Sequence, residues 1–459
     1  MTNPIQLAGL TAQISSLDSV RAVGRVARVE AGVIHVSGLA SVASIGDWLC
    51  VYRRSGAPLR GEVVQINGDL LVMLADDDLA GVALDNRVAL LEAAQIAPSD
   101  QWVGRIIDPY GNPLDGKPLL RGARLRALRA APPAAATRRA LGKRLSTGMA
   151  VTNTLLPIVT GQRIGLFAGS GVGKSSLLGH LAQSMEADVV VIALIGERGR
   201  ELRHFIDKVL GPQGLARAVV VTATSDQSAL IRRRCALTAM SVAEHFRDQG
   251  RSVLLLADSI TRFAEAHREV AVAAGEAPVL RGYPPSTAHQ IMALCERAGT
   301  GRDNQGDITA IFSVLVAGSD MDEPIADILR GVLDGHVILD RAIAERGRYP
   351  AIDVLRSVSR SLPDAATPAE NAQLIQARAL LATYERNAMM IRAGLYTQGS
   401  DPEVDQAIAL WADLDSFLAK PEPKDVAHSF SQLGLILRRA KTAPGQKPIA
   451  RVTAPPHVA

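Results

Sequence analysis

The sequence predicts an α/β protein: a mostly parallel sheet covered by helices, preceded by a small antiparallel β-barrel and followed by a C-terminal helical domain. Three patterns lead there. Between residues 24 and 91, short alternating strands at 25–30, 33–36, 48–52, 61–66 and 70–74 are separated by Gly, Asp and Asn, and closely spaced strands joined by such turns build small barrels. Between about 145 and 365, nearly continuous apolar strands at 164–167, 189–195, 219–222, 253–257, 308–316 and 336–339 alternate with helical stretches. Such runs fit a sheet buried on both faces. From 368 to 440 the apolar spacing is helical, punctuated by Gly394, Gly399 and Pro402.

The expected organisation follows in chain order. Leu7, Leu10, Ile14 and Leu17 at helical spacing predict an amphipathic helix over 1–20. A β-barrel domain over 21–95 comes next, then a bridge or linker over 96–145, which contains Gly104-Arg-Ile-Ile-Asp-Pro-Tyr-Gly111 and ends in a Pro/Ala-rich stretch at 130–136. The central α/β domain is placed at 146–366 and the helical domain at 367–441. Residues 442–459, rich in Pro, Ala and polar residues, are expected to be a disordered tail.

Bulk properties narrow the class. A chain of 459 residues accommodates two or three domains. Apolar residues make up 47% and charged residues 21%, as in an ordinary globular protein, but aromatics are only 3%, so the core must be built from Ala, Val, Leu and Ile. A net charge of +4 over this length is a weak nucleic-acid signal, and no nucleic-acid partner is expected. Cys50, Cys235 and Cys295 are odd in number, far apart and without metal-ligand spacing, which reads as reduced thiols. No apolar run approaches the roughly 20 residues needed to cross a bilayer, and the first ten residues lack a basic region followed by an apolar block. The expected location is cytoplasmic, with any membrane association indirect.

The chemistry concentrates at three strand ends. Ala168-Gly169-Ser170-Gly171-Val172-Gly173-Lys174-Ser175 follows an apolar strand and opens a helix. Glycines let the backbone turn so tightly that successive N–H groups face one anion, and the helix N-terminus adds its positive dipole end. Lys174 can then reach nucleotide β/γ-phosphates and the Ser175 hydroxyl can ligate Mg²⁺. The strict pattern opens with Gly; Ala168 is small enough to keep the turn. The apolar run 253–257 ends at Asp258, suited to the Mg²⁺ shell. The run 189–195 ends in Gly196-Glu197-Arg198, which puts a carboxylate where it can aim an attacking water. A lone acidic strand end reads as a solvated one, but two of them beside a strand that leads into a glycine loop do not.

The chain resembles a known family through these and further motifs. Gly196-Glu-Arg-Gly-Arg-Glu-Leu202, Asp258-Ser-Ile-Thr-Arg-Phe-Ala264, Gly282-Tyr-Pro-Pro-Ser286 and Glu296-Arg-Ala-Gly299 are similar to the catalytic core of rotary ATP synthases and type III secretion ATPases. Asp334-Gly-His336, Arg348-Tyr-Pro-Ala-Ile-Asp353 and Ser357-Val-Ser-Arg360 extend the likeness, which runs from about residue 20 to 440. The resemblance implies a RecA-like P-loop ATPase core. ATP and Mg²⁺ would bind at Gly169, Ser170, Gly171, Val172, Gly173, Lys174, Ser175 and Ser176, with Ser175 and Asp258 on the metal and Tyr349 stacking on adenine. Glu197 would activate water, Arg198 would anchor that region, and Arg360 would reach a neighbouring subunit's γ-phosphate as a finger. An active site shared in this way implies a homo-hexameric ring.

Within that family, Gly394-Leu-Tyr-Thr-Gln-Gly-Ser-Asp-Pro-Glu-Val-Asp405 resembles type III export ATPases, and Ser175 in place of Thr resembles their flagellar members. Ala317-Gly-Ser-Asp-Met-Asp-Glu-Pro324 departs from the Glu-Gly-Asp-Asp that many of them carry, so any role of that first carboxylate is not carried over. The implied function is ATP hydrolysis that unloads and exports flagellar proteins. Its implied partners are a stator-like regulator at the N-terminal helix, a stalk protein in the ring centre, an inner-membrane export gate, chaperones and cargo. Three other readings were weighed. A virulence-type secretion ATPase is the alternative within the family, and the Ser175 signature favours the flagellar branch over it. A Rho-like RNA translocase needs base-stacking aromatics, of which the barrel offers little beyond Trp48 and Tyr52. A non-catalytic nucleotide-binding subunit is opposed by Glu197.

Overall fold

The computed structural model describes residues 20–442 apart from 31, 92, 280 and 317–320, together with Thr11 and Ile14. The expected N-terminal helix, the tail after 442 and the segment beginning at Ala317 therefore lie outside the described residues or nearly so. Six strands close the N-terminal barrel in the order β1-β2-β5-β4-β3-β6, all neighbours antiparallel. They are β1 (Val23–Glu30), β2 (Val33–Ser37), β3 (Trp48–Tyr52), β4 (Leu59–Asn67), β5 (Leu70–Ala75) and β6 (Arg87–Leu90). Ile34, Val36, Leu49, Val51, Val63, Leu71, Met73 and Val88 fill its interior. A Cβ at Gly61 would lie 2.2 Å from the carbonyl oxygen of Leu74, so only glycine lets β4 come this close to β5.

After a two-stranded ribbon, β7 (Gln95–Ile96) with β9 (Arg126–Ala127), the chain builds an eight-stranded sheet. Its order is β16-β15-β10-β14-β13-β11-β12-β8, with β8 (Arg105–Ile107), β10 (Arg163–Ala168), β11 (Val189–Glu197), β12 (Ala218–Thr224), β13 (Val253–Asp258), β14 (Ile308–Leu315), β15 (Gly335–Leu339) and β16 (Ile352–Ser359). All pair in parallel except the edge strand β16, which runs antiparallel to β15.

Side-chain alternation explains the unbroken apolar runs. Along β11, Val190, Ile192 and Leu194 enter one buried layer while Val189, Val191, Ala193 and Ile195 enter the other. The first layer is covered by α1 (Lys174–Ser184) and by the C-terminal helices α6 (Pro368–Arg392), α7 (Pro402–Leu418) and α8 (Val426–Thr442). The second is covered by α2 (Ala229–Asp248), α3 (Ile260–Ala273), α4 (Ser286–Arg297) and α5 (Pro324–Val332). Helix α6 starts sharply because Thr367 and Glu370 form a reciprocal capping box, with Pro368 at the first helical position.

The barrel is held to the core by a buried polar joint. Glu62 on β4 accepts from Arg129 at 2.7 Å and from the buried Arg233 of α2. Arg234 lies over the rings of Trp48, at 5.0 Å, and Tyr110, at 4.5 Å. Trp48 is therefore buried in this joint, and only Tyr52 of the two barrel aromatics is exposed.

Candidate nucleotide site

The glycine loop connects β10 to α1 at the carboxyl edge of the sheet, where open parallel sheets bind ligands. Gly171 and Gly173 adopt φ of +78° and +89°, a region costly for residues with a Cβ. At Gly173 space is also short: a Cβ there would lie 3.1 Å from Cδ1 of Tyr349. Tyr349 thus stands directly against the loop.

Neighbouring strands bring the acids to the same edge. β11 ends at Glu197, and Asp258, the last residue of β13, is in register with Leu194. Ser313 of β14 donates to Asp258 Oδ1 at 2.6 Å, and Lys174 Nζ pairs with the same oxygen. Lys174, Ser175, Glu197, Arg198, Arg232 and Arg262 line one open cleft of about 1190 Å³, whose far wall is the start of α5. A side cavity of about 320 Å³ brings Ser175, Glu197 and Asp258 together.

The cleft is pre-set for a polyanion. Arg232 binds Glu269 through both carboxylate oxygens, at 2.9 and 3.0 Å; Arg262 binds Glu265 at 2.9 Å; Arg268 lies 5.2 Å over the Tyr283 ring. Each guanidinium is oriented before any ligand arrives, which spares ordering entropy on binding. Burial, joined by the negative charge of Asp258, pushes the Glu197 carboxyl up to about 7; Lys174 pulls against the shift, and a hydrogen bond with Glu201 adds to it. At neutral pH this carboxyl is poised between donor and base.

No cluster of three or more His, Cys, Asp or Glu forms a metal cage among the described residues. Mg²⁺ characteristically binds through one or two protein oxygens and the phosphates it accompanies. The Ser175 hydroxyl and the Asp258 carboxylate facing one cavity are an all-oxygen pair of that kind.

Comparison with known proteins agrees with this geometry. Residues 148–359 match the model of the ATP synthase alpha/beta family nucleotide-binding domain, and residues 366–434 match that of the T3SS EscN ATPase C-terminal domain. The flagellum-specific ATP synthase of Caulobacter vibrioides is 42% identical over 94% of this chain and 99% of its own. That of Salmonella typhimurium is 41% identical over 94% and 97%. This chain belongs to the flagellum-specific ATP synthase family. Among solved structures, the assembled ATPase EscN of the enteropathogenic E. coli type III secretion system superposes with a TM-score of 0.83 at 36% identity, covering 90% of this chain and all of its own. EscN in complex with its central stalk EscO gives 0.82 at 35% identity.

Most residues singled out in the sequence of this flagellum-specific ATP synthase family member converge. Gly169, Ser170, Gly171, Gly173, Lys174, Ser175, Ser176 and Glu197 line the main cleft, Asp258 lines the side cavity, and Tyr349 touches the loop. The Val172 side chain does not join them, because it is buried in the core. Arg360 does not either. Its backbone N–H donates to Asp334 just before β15 begins, and Ser359 is in register with Gly335, so Arg360 stands at the amino edge of the parallel strands, exposed. Its guanidinium donates to the Arg330 carbonyl at 3.2 Å. Sequence reasoning passed over Arg232, Arg262 and Arg268. Arg262 carried a usable signal: it lies four residues after Asp258, one helical turn into the segment quoted above.

Proposed function

We propose that this chain is the ATP hydrolase of the flagellar type III protein export apparatus, working in a homo-hexameric ring. The observation that carries it is the convergence of Lys174, Ser175, Glu197 and Asp258 on one cleft behind a glycine loop. On nucleotide arrival Lys174 exchanges the Asp258 carboxylate for the β/γ-phosphates, and loop N–H groups take the remaining oxygens. Mg²⁺ bound with ATP would draw negative charge from the phosphates, held by Ser175 and the shell around Asp258. Glu197 takes the proton of the attacking water. Arg198 anchors the start of this segment, Tyr349 stacks on adenine, and Arg360 reaches the next protomer's γ-phosphate.

Names of the relatives support the flagellar assignment, and the assembled EscN supports both the ring and a central stalk. A translocase role that couples hydrolysis to unloading cargo and chaperones at an inner-membrane gate rests on the same likeness. Among the described residues no helix is long and apolar enough to cross a membrane, so attachment to that gate would be peripheral, from the cytoplasmic side. A stator-like regulator would dock on the leucine pattern of residues 1–20. The match of 366–434 to the EscN C-terminal model favours one second reading, a virulence-type secretion ATPase.

Phosphate release from purified protein is the first test. Glu197→Gln is expected to retain ATP binding and lose turnover by roughly 10²–10⁴-fold, the range for removing a general base. In a host lacking its own copy, the wild-type gene should restore hook and filament protein in the medium and Glu197→Gln should not. Restored virulence-effector secretion without flagellar protein would move the assignment to the second reading.

A further inference from the structure

The segment that carries Tyr349 is gripped from outside the core. Asp415 on α7 accepts from Arg346 Nη2 at 2.8 Å, and the same oxygen lies 3.1 Å from Arg348 Nε. Arg348 is buried, and its two terminal nitrogens donate to the carbonyls of Pro350, at 3.1 Å, and Ile352, at 2.7 Å. One guanidinium therefore bridges the chain on the far side of Tyr349, while one carboxylate from another element hydrogen-bonds the arginine at 346 and places its negative charge beside that guanidinium, whose Nε makes no hydrogen bond. Arg346 also lies 5.2 Å over the ring of Trp411, which stacks at 4.7 Å on Tyr384 of α6. Tyr349 itself is 52% exposed. Its ring is set against Gly173 by its chain neighbours rather than by its own burial.

We propose that Asp415 is a positioning residue for the nucleotide base: through Arg346 and Arg348 it sets the height of the Tyr349 ring over the glycine loop. The proposal rests on the reading that Tyr349 stacks on adenine. Nothing between Asp415 and the phosphates is required, so the phosphate-handling residues Lys174 and Glu197 are untouched by its loss. A carboxylate on α7 thereby makes base binding depend on where the C-terminal helices sit. Removing its charge weakens the hydrogen bond that holds Arg346 and takes away the negative charge beside buried Arg348, so the Tyr349 segment loses its tie to α7.

The test is steady-state hydrolysis of MgATP by the full chain. Asp415→Asn is expected to raise KM roughly fivefold with kcat within about twofold, the signature of lost ground-state binding. Asp415→Glu should return KM toward wild type. In a Tyr349→Ala background, Asp415→Asn should add less than about twofold, because coupled residues are not additive. An unchanged KM in folded Asp415→Asn overturns the proposal, as does the full fivefold loss on top of Tyr349→Ala. If Tyr349→Ala alone leaves KM unchanged, the stacking reading fails and takes this one with it. A raised KM in Tyr349→Ala beside a silent Asp415→Asn sinks the positioning role alone. Circular dichroism melts check folding. Should Asp415→Asn not fold, the exposed Arg346→Gln decides: it is expected to raise KM, and a wild-type KM in that folded variant overturns the proposal.

Discussion

Glu197 has the most to lose from ionising in the empty site. Its folded carboxyl holds a proton up to about 7, against 4.5 for the ordinary group. The contribution favouring the fold is therefore complete below about pH 4.5 and is lost as pH rises through 7. Glutamine keeps the shape and never ionises. In nucleotide-free protein with a chelator present, Glu197→Gln should melt with wild type near pH 5 and increasingly above it up to about pH 8, then level off. A constant offset across that range would mean that the carboxyl is not held neutral by burial. At this scale the sequence was readable wherever chemistry is tied to a strand end: Lys174, Glu197 and Asp258 each follow an apolar run. Arg232 and Arg268 sit on helix faces among other charged residues, so only the folded α2 and α3 reveal that they face the cleft.

Elements differ in how they announce themselves. The six parallel strands first read as continuous apolar runs are those with both faces buried, and each was placed within two residues at both ends. β8 has three residues and pairs only with β12 at the sheet edge, where Arg105 binds Asp115 at 2.5 and 2.7 Å and the carbonyls of Lys117 and Pro118. No periodicity exists in so short a piece. β16 alternates buried and exposed positions as an edge strand does, and β6 has only four residues. The barrel-to-core joint is likewise invisible along the chain, since Glu62 and Arg233 are 171 residues apart. That joint carries a measurable load. Glu62→Ala strands the buried Arg233 and should cost about 3–5 kcal/mol, seen as a lower urea midpoint at unchanged slope. By contrast Arg341 and Glu345, 76% and 64% exposed, form a surface pair. Glu345→Ala should stay within about 0.5 kcal/mol of wild type. Equal losses at the two sites would refute the assignment of the joint as buried and ion-paired.

On the scale of the whole molecule, the placement of Arg360 decides how activity is organised. Lys174 and Glu197 stand at the carboxyl edge of the sheet and Arg360 at its amino edge, so the finger role proposed for Arg360 requires the phosphates of another protomer. A surface that offers a donor at one edge and needs one at the other pairs head to tail, and such contacts close into a ring when the rotation between neighbours permits. Each cleft is then completed by the protomer beside it. Lys174→Ala spoils the cleft and leaves the finger; Arg360→Ala does the reverse. Rings reassembled from equal amounts of the two contain intact composite sites at about a quarter of their interfaces, because each half is sound with a chance of about one half and heterologous contacts pair the two halves independently. Phosphate release from the mixture should exceed that of either variant alone, whereas the double variant mixed with itself stays silent. A mixture no more active than its parents, in rings shown to hold both variants by co-purification through a tag on one of them, would overturn the shared site and remove the need for a ring in catalysis.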